Sequence, residues 1–166
     1  MSLKIAGTVN DSIVDGPGFR FTVFVQGCPH RCKGCHNPQT HDFDGGRYIE
    51  SEEIISKVKS NPLLDGVTFS GGEPFCQAEE LSKLASEIKK LGMNIITYTG
   101  YDFEYLYENR SKNGFGKLLE VTDILIDGKF IEELKDWKIK FRGSSNQRFL
   151  DCKNSLDGGY AVEINL

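Results

Sequence analysis

The sequence predicts a single α/β domain built on a mostly parallel sheet. Three observations support this: short apolar runs typical of buried strands, amphipathic helical patterns between them, and a length of 166 residues. Strands that alternate with helices favour parallel pairing through right-handed crossovers. The length allows one core but is well short of the roughly 250 residues of a complete eight-fold β/α barrel. We therefore expect one domain over residues 1–166.

The first predicted strand is residues 19–26 (FRFTVFVQ), which are β-branched and aromatic and follow a turn-rich DGPG segment. The later elements follow from similar patterns and alternate in type. They are a helix over 51–59, a strand over 66–70, a helix over 77–91 that stops at Gly92, a strand over 94–99, an interrupted helical segment over 102–119 and a strand over 123–126.

The last forty residues have a different pattern from the rest of the chain. Residues 140–144 and 159–164 predict short strands separated by polar loops. Leu81, Leu84 and Ile88, at helical spacing, and the single Trp137 are expected in the core.

Composition excludes several classes of function. The net charge of -4 and the absence of long basic runs disfavour nucleic acid as a main partner. No apolar run is long enough for a membrane span, and residues 1–10 lack the pattern of a secretory leader. Five cysteines, three of them within eight residues, favour a metal and a reducing compartment over disulfides. We expect a cytoplasmic protein whose partners are proteins or small molecules.

The segment GCPHRCKGCHNP places Cys28, Cys32 and Cys35 on the loop that follows the first predicted strand. Soft thiolate ligands select iron-sulfur clusters, zinc or copper(I). Three cysteines on a cubane cluster would leave one iron open to a substrate. Zinc remains an alternative, because His30 or His36 could supply a fourth ligand.

Together, this C-x3-C-x2-C spacing and the SGGEP segment (residues 70–74) after the next strand resemble the radical S-adenosylmethionine superfamily. The resemblance implies a partial, incomplete β/α barrel, a 4Fe-4S cluster on the three cysteines, and S-adenosylmethionine on the open iron. It also implies that the residues after Ser70 bind this substrate: Gly71 and Gly72 allow close backbone approach, Glu73 faces the ammonium, and Pro74 stiffens the segment. The alternative is a plain strand-to-helix turn.

Further segments resemble one family within this superfamily, the activating proteins of anaerobic ribonucleotide reductases. They are DGPGFR (15–20), HNPQT (36–40), TYTGY (97–101), DILIDGKF (123–130) and FRGSSNQR (141–148). The resemblance implies reductive cleavage of S-adenosylmethionine and removal of a hydrogen from a glycine of the reductase. Its implied partners are this reductase and an electron donor such as flavodoxin or ferredoxin.

Other predicted site residues depend on position and on the resemblance. Thr97 and Thr99 close the third strand and Asp127 closes the fourth, so all three are candidates for the rim that bears the cysteines. Gly34 stands where many radical enzymes have an aromatic residue, and His36 is expected to pack against adenine instead. The resemblance also places three residues near the nucleotide, where the alternative is capping of a polar loop: Arg142, Ser144 and Asn146.

Three rival functions stay open. The first is an activase of another glycyl radical enzyme, of the pyruvate formate-lyase type. The second is a ferredoxin-like electron carrier in which Cys76 or Cys152 completes the cluster, although free cysteines are more often small buried hydrophobes. The third is a zinc-stabilised interaction module. Neither the carrier nor the zinc module needs the GGEP segment.

Overall fold

A computed structural model describes residues 2–165 as one open sheet of seven strands with helices packed against it. The strands are β1 (Ser2–Ser12), β2 (Arg20–Val25), β3 (Arg47–Glu50), β4 (Gly66–Gly71), β5 (Asn94–Tyr98), β6 (Ile124–Asp127) and β7 (Arg148–Asp151). The α-helices are α1 (Ser51–Lys59), α2 (Ala78–Lys89), α3 (Phe103–Glu108), α4 (Phe115–Val121) and α5 (Cys152–Gly158). Short 3-10 helices cover Pro38–Thr40, Pro74–Gln77 and Glu132–Leu134.

The sheet has the order β3-β1-β2-β4-β5-β6-β7, and its centre is parallel. Strands β2, β4, β5 and β6 pair in parallel, while β1 and β3 at one side and β7 at the other pair antiparallel. The two edge strands do not meet, so the sheet stays open. This confirms the predicted α/β class and the incomplete barrel with a parallel centre.

The main core lies between the sheet and its helices. Alternate residues of the central strands point to this face, among them Val23 of β2 and Phe69 of β4, both fully buried. Leu81, Leu84 and Ile88 of α2 are 0–1% exposed against them, which confirms their predicted core position. A smaller apolar cluster occupies the opposite face of the sheet and contains Ile96, Ile126 and Phe149.

The break predicted within 102–119 is present. Helix α3 ends at Glu108, and α4 begins at Phe115 after Asn113 and Gly114, whose φ angles are 54° and 75°. These left-handed conformations interrupt the helical hydrogen bonding, and glycine adopts them at little cost.

Several predictions for the C-terminal part are wrong. Residues 140–144 and 159–164 form no strand and contribute only isolated bridges, at Ser144 and Glu163. Strand β7 and helix α5 lie between them instead. Trp137 is 82% exposed in a lysine-rich loop, with the Lys135 ammonium 4.2 Å from its ring centre.

Strands β1 and β3 were not predicted. Most residues of β1 are partly or fully exposed, and its sequence includes Gly7 and Asn10, which are uncommon in strands. Across residues 2–165, no helix has the combination of length and apolar character needed to cross a bilayer.

Candidate functional site

The cysteine loop and the GGEP segment are held together by backbone hydrogen bonds. The amide of Gly72 donates to the Val25 carbonyl, and the amide of Glu73 donates to the Gly27 carbonyl, both at 2.8 Å. The far end of the loop returns to the same place, because the Cys28 amide donates to the His41 carbonyl at 3.1 Å. The two motifs therefore meet at the carboxyl ends of β2 and β4, as their positions after parallel strands predicted.

All five cysteines are free of disulfides. Cys28 is buried at the start of the loop, and Cys32 and Cys35 are partly exposed. The Cys35 amide donates to the Cys32 carbonyl at 3.2 Å, and the Asn37 amide donates to the Cys35 sulfur at 3.4 Å. Burial raises the pKa of the Cys28 thiol, against the opposing effect of amide donors in the loop.

The cysteine loop offers three free thiols as metal ligands. In the part of the chain that the structure describes, no three His, Cys, Asp or Glu side chains converge on a point where one metal ion could bind. A structural zinc ion needs four ligands around one point, whereas a cubane distributes its thiolate ligands over separate irons. Soft thiolates are the ligand type that an iron-sulfur cluster takes.

The two glycines of GGEP are required by close approach of the backbone to the end of β2 and to the start of the cysteine loop. A Cβ at Gly72 would lie 2.3 Å from the Gly27 carbonyl oxygen. Gly71 has a φ of 90°, and a Cβ there would lie 2.7 Å from the Phe24 Cα. These contacts explain both glycines without a ligand, and their contact with a substrate stays a prediction.

The Glu73 side chain is completely buried, and both of its oxygens accept hydrogen bonds from the chain. Oε1 is 2.6 Å from Nε2 of His30 and accepts from the Gly100 amide at 2.8 Å. Oε2 accepts from the Phe75 amide at 3.0 Å, and the Thr99 hydroxyl donates to both oxygens. Glu73 thus joins the cysteine loop to the ends of β4 and β5. Pro74 is buried at the start of the next helical turn.

Thr97 and Asp127 are both occupied by structural contacts. Thr97 points to the helix side of the sheet, where its hydroxyl lies 2.9 Å from that of Thr122. Asp127 is fully buried, accepts from the Phe103 amide at 2.8 Å, and forms two hydrogen bonds with the Arg148 guanidinium at 3.0 and 2.5 Å. This pairing raises the pKa of Arg148. Binding of a substrate by either residue stays a prediction.

A cavity of about 430 Å³ opens beside the cysteine loop, within the range of small-molecule sites. Cys35 and His36 line it from the loop, Ser70 from β4 and Tyr98 from β5. Burial raises the pKa of Tyr98, whose hydroxyl donates to the Phe141 carbonyl at 2.6 Å. Tyr98 was not among the predicted site residues, although the alternation of side chains along a strand puts it on the face opposite to Thr97.

Two further residues shape this cavity. The His36 ring contacts Phe130 edge-on, with 5.2 Å between ring centres. Arg142 also lines the cavity, and within residues 2–165 its guanidinium makes only long contacts, of 3.4 and 3.5 Å, with two backbone carbonyls. Ser144 and Asn146 were also predicted near the nucleotide. The Ser144 hydroxyl donates to the Asn146 side-chain oxygen, and this hydrogen bond stabilises the polar loop.

Gly34 has a φ of 77°, and a Cβ there would lie 2.5 Å from a Glu132 side-chain oxygen. The left-handed backbone favours glycine at this position over a residue with a side chain.

The DGPGFR segment has a structural role. The Arg20 guanidinium is fully buried at the opposite end of β2 and donates to the Thr68 hydroxyl at 2.7 Å and to the carbonyls of Val67, Asn94 and Pro17. Burial lowers the pKa of Arg20 to about 10. It therefore remains charged at neutral pH and ties β2, β4 and β5 together.

The other two cysteines lie in different surroundings. Cys152 of α5 is fully buried, contacts the Leu119 carbonyl at 3.3 Å, and has a pKa raised to about 12 by burial. Cys76 is exposed and lines a separate cavity of about 850 Å³ together with Tyr101 and Phe115.

Comparison with known proteins gives consistent similarities. Residues 14–150 match the model of a family described as a 4Fe-4S single cluster domain. The chain is 37% identical to the anaerobic ribonucleoside-triphosphate reductase-activating protein of Vibrio cholerae, over 81% of this chain and 89% of that protein. It is also 37% identical to the pyruvate formate-lyase-activating enzyme of Clostridium pasteurianum, over 73% of this chain and 50% of that enzyme. Among solved structures, QueE from Escherichia coli aligns with a TM-score of 0.48 and 18% identity, over 60% of this chain and 53% of that one.

Proposed function

Because the chain belongs to the 4Fe-4S single cluster domain family and to the anaerobic ribonucleoside-triphosphate reductase-activating proteins, we propose that it is a radical S-adenosylmethionine activase of such a reductase. The observation that supports this most directly is the set of three free thiols on one loop beside the GGEP backbone. Since the cysteines and GGEP follow neighbouring parallel strands, a substrate at this edge would lie beside the cluster.

Cys28, Cys32 and Cys35 would hold the 4Fe-4S cluster, with one iron left open for S-adenosylmethionine. The bound cluster would supply one electron for cleavage of this substrate into methionine and a 5'-deoxyadenosyl radical, which would take a hydrogen atom from a glycine of the reductase. The Asn37 amide, bonded to the Cys35 sulfur, stabilises that thiolate.

The cavity beside Cys35 is the proposed place of the nucleotide. His36, held by Phe130, offers a ring face to adenine, and Gly34 gives the loop its left-handed turn beside this ring. The weakly engaged guanidinium of Arg142 is available for a carboxylate. The remaining proposed contacts come from the strand ends and lie at Gly71, Gly72, Glu73, Pro74, Thr97, Thr99 and Asp127.

The protein substrate would close this site. We propose that residues 1–166 form a single domain whose sheet, as described over residues 2–165, stays open, and that a loop of the reductase enters from this open side. We further propose that a small electron donor such as flavodoxin or ferredoxin reduces the cluster, and that the protein works in the cytoplasm, where thiols stay reduced.

The test uses anaerobically reconstituted protein with dithionite. The expected result is an electron paramagnetic resonance signal of the reduced cluster that changes when S-adenosylmethionine is added, followed by a glycyl radical signal in the reductase. Cys35→Ser is the matched negative control. Substrate cleavage without a glycyl radical in the reductase would contradict the assignment of the partner.

A second candidate is activation of a pyruvate formate-lyase, favoured by the 37% identity to the Clostridium enzyme. Incubating the same preparation with each partner in turn separates the two. A glycyl radical in the lyase but not in the reductase would decide for this alternative.

A further inference from the structure

We propose that His30 is a positioning residue which locks the cysteine loop onto Glu73 and thereby sets the reduction potential of the cluster. This inference rests on the part of the proposed function that places a cluster on Cys28, Cys32 and Cys35. It does not depend on which protein receives the radical.

The His30 and Glu73 side chains form a buried hydrogen-bonded pair. Their Nε2 and Oε1 atoms are 2.6 Å apart, and the side chains are 6% and 0% exposed. Glu73 cannot follow a movement of the histidine, because the Thr99 hydroxyl and the Gly100 amide hold the same carboxylate. A short bond to a buried carboxylate is among the stronger hydrogen bonds in proteins. The position of His30 is therefore fixed by the ends of β4 and β5.

The space for the imidazole ring is provided by Gly100. A Cβ at this position would lie 2.4 Å from Cδ2 and 2.7 Å from Nε2 of His30. Gly100 is not among the glycines with positive φ, so its backbone conformation does not require glycine. Tyr101 closes the space with its ring at 78° to the imidazole and 4.6 Å between centres. Gly100 and Tyr101 therefore form a close-fitting site for the His30 ring.

The hydrogen bond between His30 and Glu73 fixes the backbone between Cys28 and Cys32. The backbone amides of His30 and Arg31 lower the pKa of the Cys28 thiol, against the larger effect of burial. Arg31 has a φ of 49°, a left-handed conformation that a non-glycine residue keeps only when its surroundings impose it. The side chain of His30, adjacent in the chain, is anchored on Glu73 at this point.

The sign of the effect on the cluster follows from electrostatics. Amide donors to a cluster sulfur stabilise the more negative, reduced state and so raise the reduction potential. Without the imidazole the two amides lose their fixed direction, and the buried Glu73 charge near Cys28 loses a partner. Both changes disfavour an added electron, so the potential falls.

The experiment compares His30→Ala, His30→Gln and the control His41→Gln in the full-length, reconstituted protein. The His41 side chain makes no hydrogen bond in residues 2–165, although its carbonyl accepts from Cys28. Redox titration followed by electron paramagnetic resonance gives the midpoint potential, and a chelator assay gives the rate of iron loss.

We expect His30→Ala to have a more negative midpoint and faster iron loss, His30→Gln to lie closer to the unsubstituted protein, and His41→Gln to match it.

A His30→Ala midpoint equal to that of the unsubstituted protein would overturn the inference. If His30→Ala takes up no cluster, the midpoint potential is measured in Gly100→Ala instead. The added methyl group displaces the His30 ring but keeps its Nε2 donor in the protein. An unchanged midpoint in Gly100→Ala would then overturn the inference. An unsubstituted protein that binds the cluster but forms no glycyl radical refutes the proposed function and leaves this comparison valid.

Discussion

Replacing Asp127 by alanine is expected to destabilise the protein before any cofactor is bound. The carboxylate is fully buried, accepts from the Phe103 amide at the start of α3, and pairs with Arg148 of β7 through two hydrogen bonds. The substitution therefore removes one partner of a charge pair and leaves a buried amide without its acceptor. Both losses act on the contact between β6, α3 and β7.

The magnitude follows from the burial of each group. Breaking a buried ion pair by removing one partner costs about 3–5 kcal/mol. The lower end applies, because the Arg148 side chain is 29% exposed and keeps a second partner, Glu104, at 2.7 Å. About 3 kcal/mol corresponds to a drop in melting temperature of roughly 6–12 °C, at about 2–4 °C per kcal/mol for a domain of this size.

The assay is thermal unfolding of the cluster-free protein with reduced thiols, followed by circular dichroism at neutral pH. Asp11→Ala is the matched control, because Asp11 is exposed and makes no hydrogen bond with its side chain within the described residues. A melting temperature of Asp127→Ala within about 2 °C of the control would refute this reasoning. It would then favour a direct role of Asp127 at the nucleotide.

Three further predictions concern pH, the remaining cysteines and the exposed tryptophan. The hydrogen bond from Arg148 lowers the pKa of Glu104, so its contribution to stability is present above the ordinary glutamate pKa of about 4.3 and is lost as pH falls through the lower folded value. Because Glu104 is 54% exposed, Glu104→Gln should reduce stability at neutral pH by less than about 1 kcal/mol, with the difference from the unsubstituted protein vanishing in acid unfolding curves. Cys76→Ser and Cys152→Ser should each bind as much iron as the unsubstituted chain, and a loss of iron in either would identify a fourth ligand. Trp137→Ser should change the free energy of unfolding by no more than about 0.5 kcal/mol in urea titrations, and a larger loss would show that the ring is packed.

The centre of the fold was predictable because its strands are buried on both faces. Strands β2, β4, β5 and β6 appear as short apolar runs, and the helices between them show one apolar face. The edges were not predictable in this way. Strands β1 and β7 pair antiparallel, are partly exposed and include polar residues, so their formation depends on a neighbouring strand that is distant in sequence.

The site shows the same division between local and distant contacts. The cysteine spacing and GGEP are local patterns, and the rule that parallel strands end at one edge brings them together. His30 and Glu73 are 43 positions apart in the sequence. Their contact depends on the path of the cysteine loop, which no local sequence pattern predicts. Side-chain alternation along β5 could have identified Tyr98 as the cavity residue in place of Thr97, since neighbouring residues of a strand face opposite sides.

The geometry of GGEP changes how substitutions in it must be interpreted. Gly71 lies against the backbone of β2 at Phe24, Gly72 lies against Gly27 at the start of the cysteine loop, and both Glu73 oxygens accept hydrogen bonds from the chain. A larger residue at either glycine would displace the end of β2 or the loop that bears Cys28, so a loss of activity there would not show that the segment binds a substrate. Contact with S-adenosylmethionine through GGEP must therefore involve backbone groups or a rearranged carboxylate. The Gly100 amide donates a hydrogen bond to the Glu73 carboxylate. Only a rearranged carboxylate would release this amide. A change in the hydrogen exchange of the Gly100 amide on addition of the ligand would therefore indicate a rearranged carboxylate rather than contact through backbone groups.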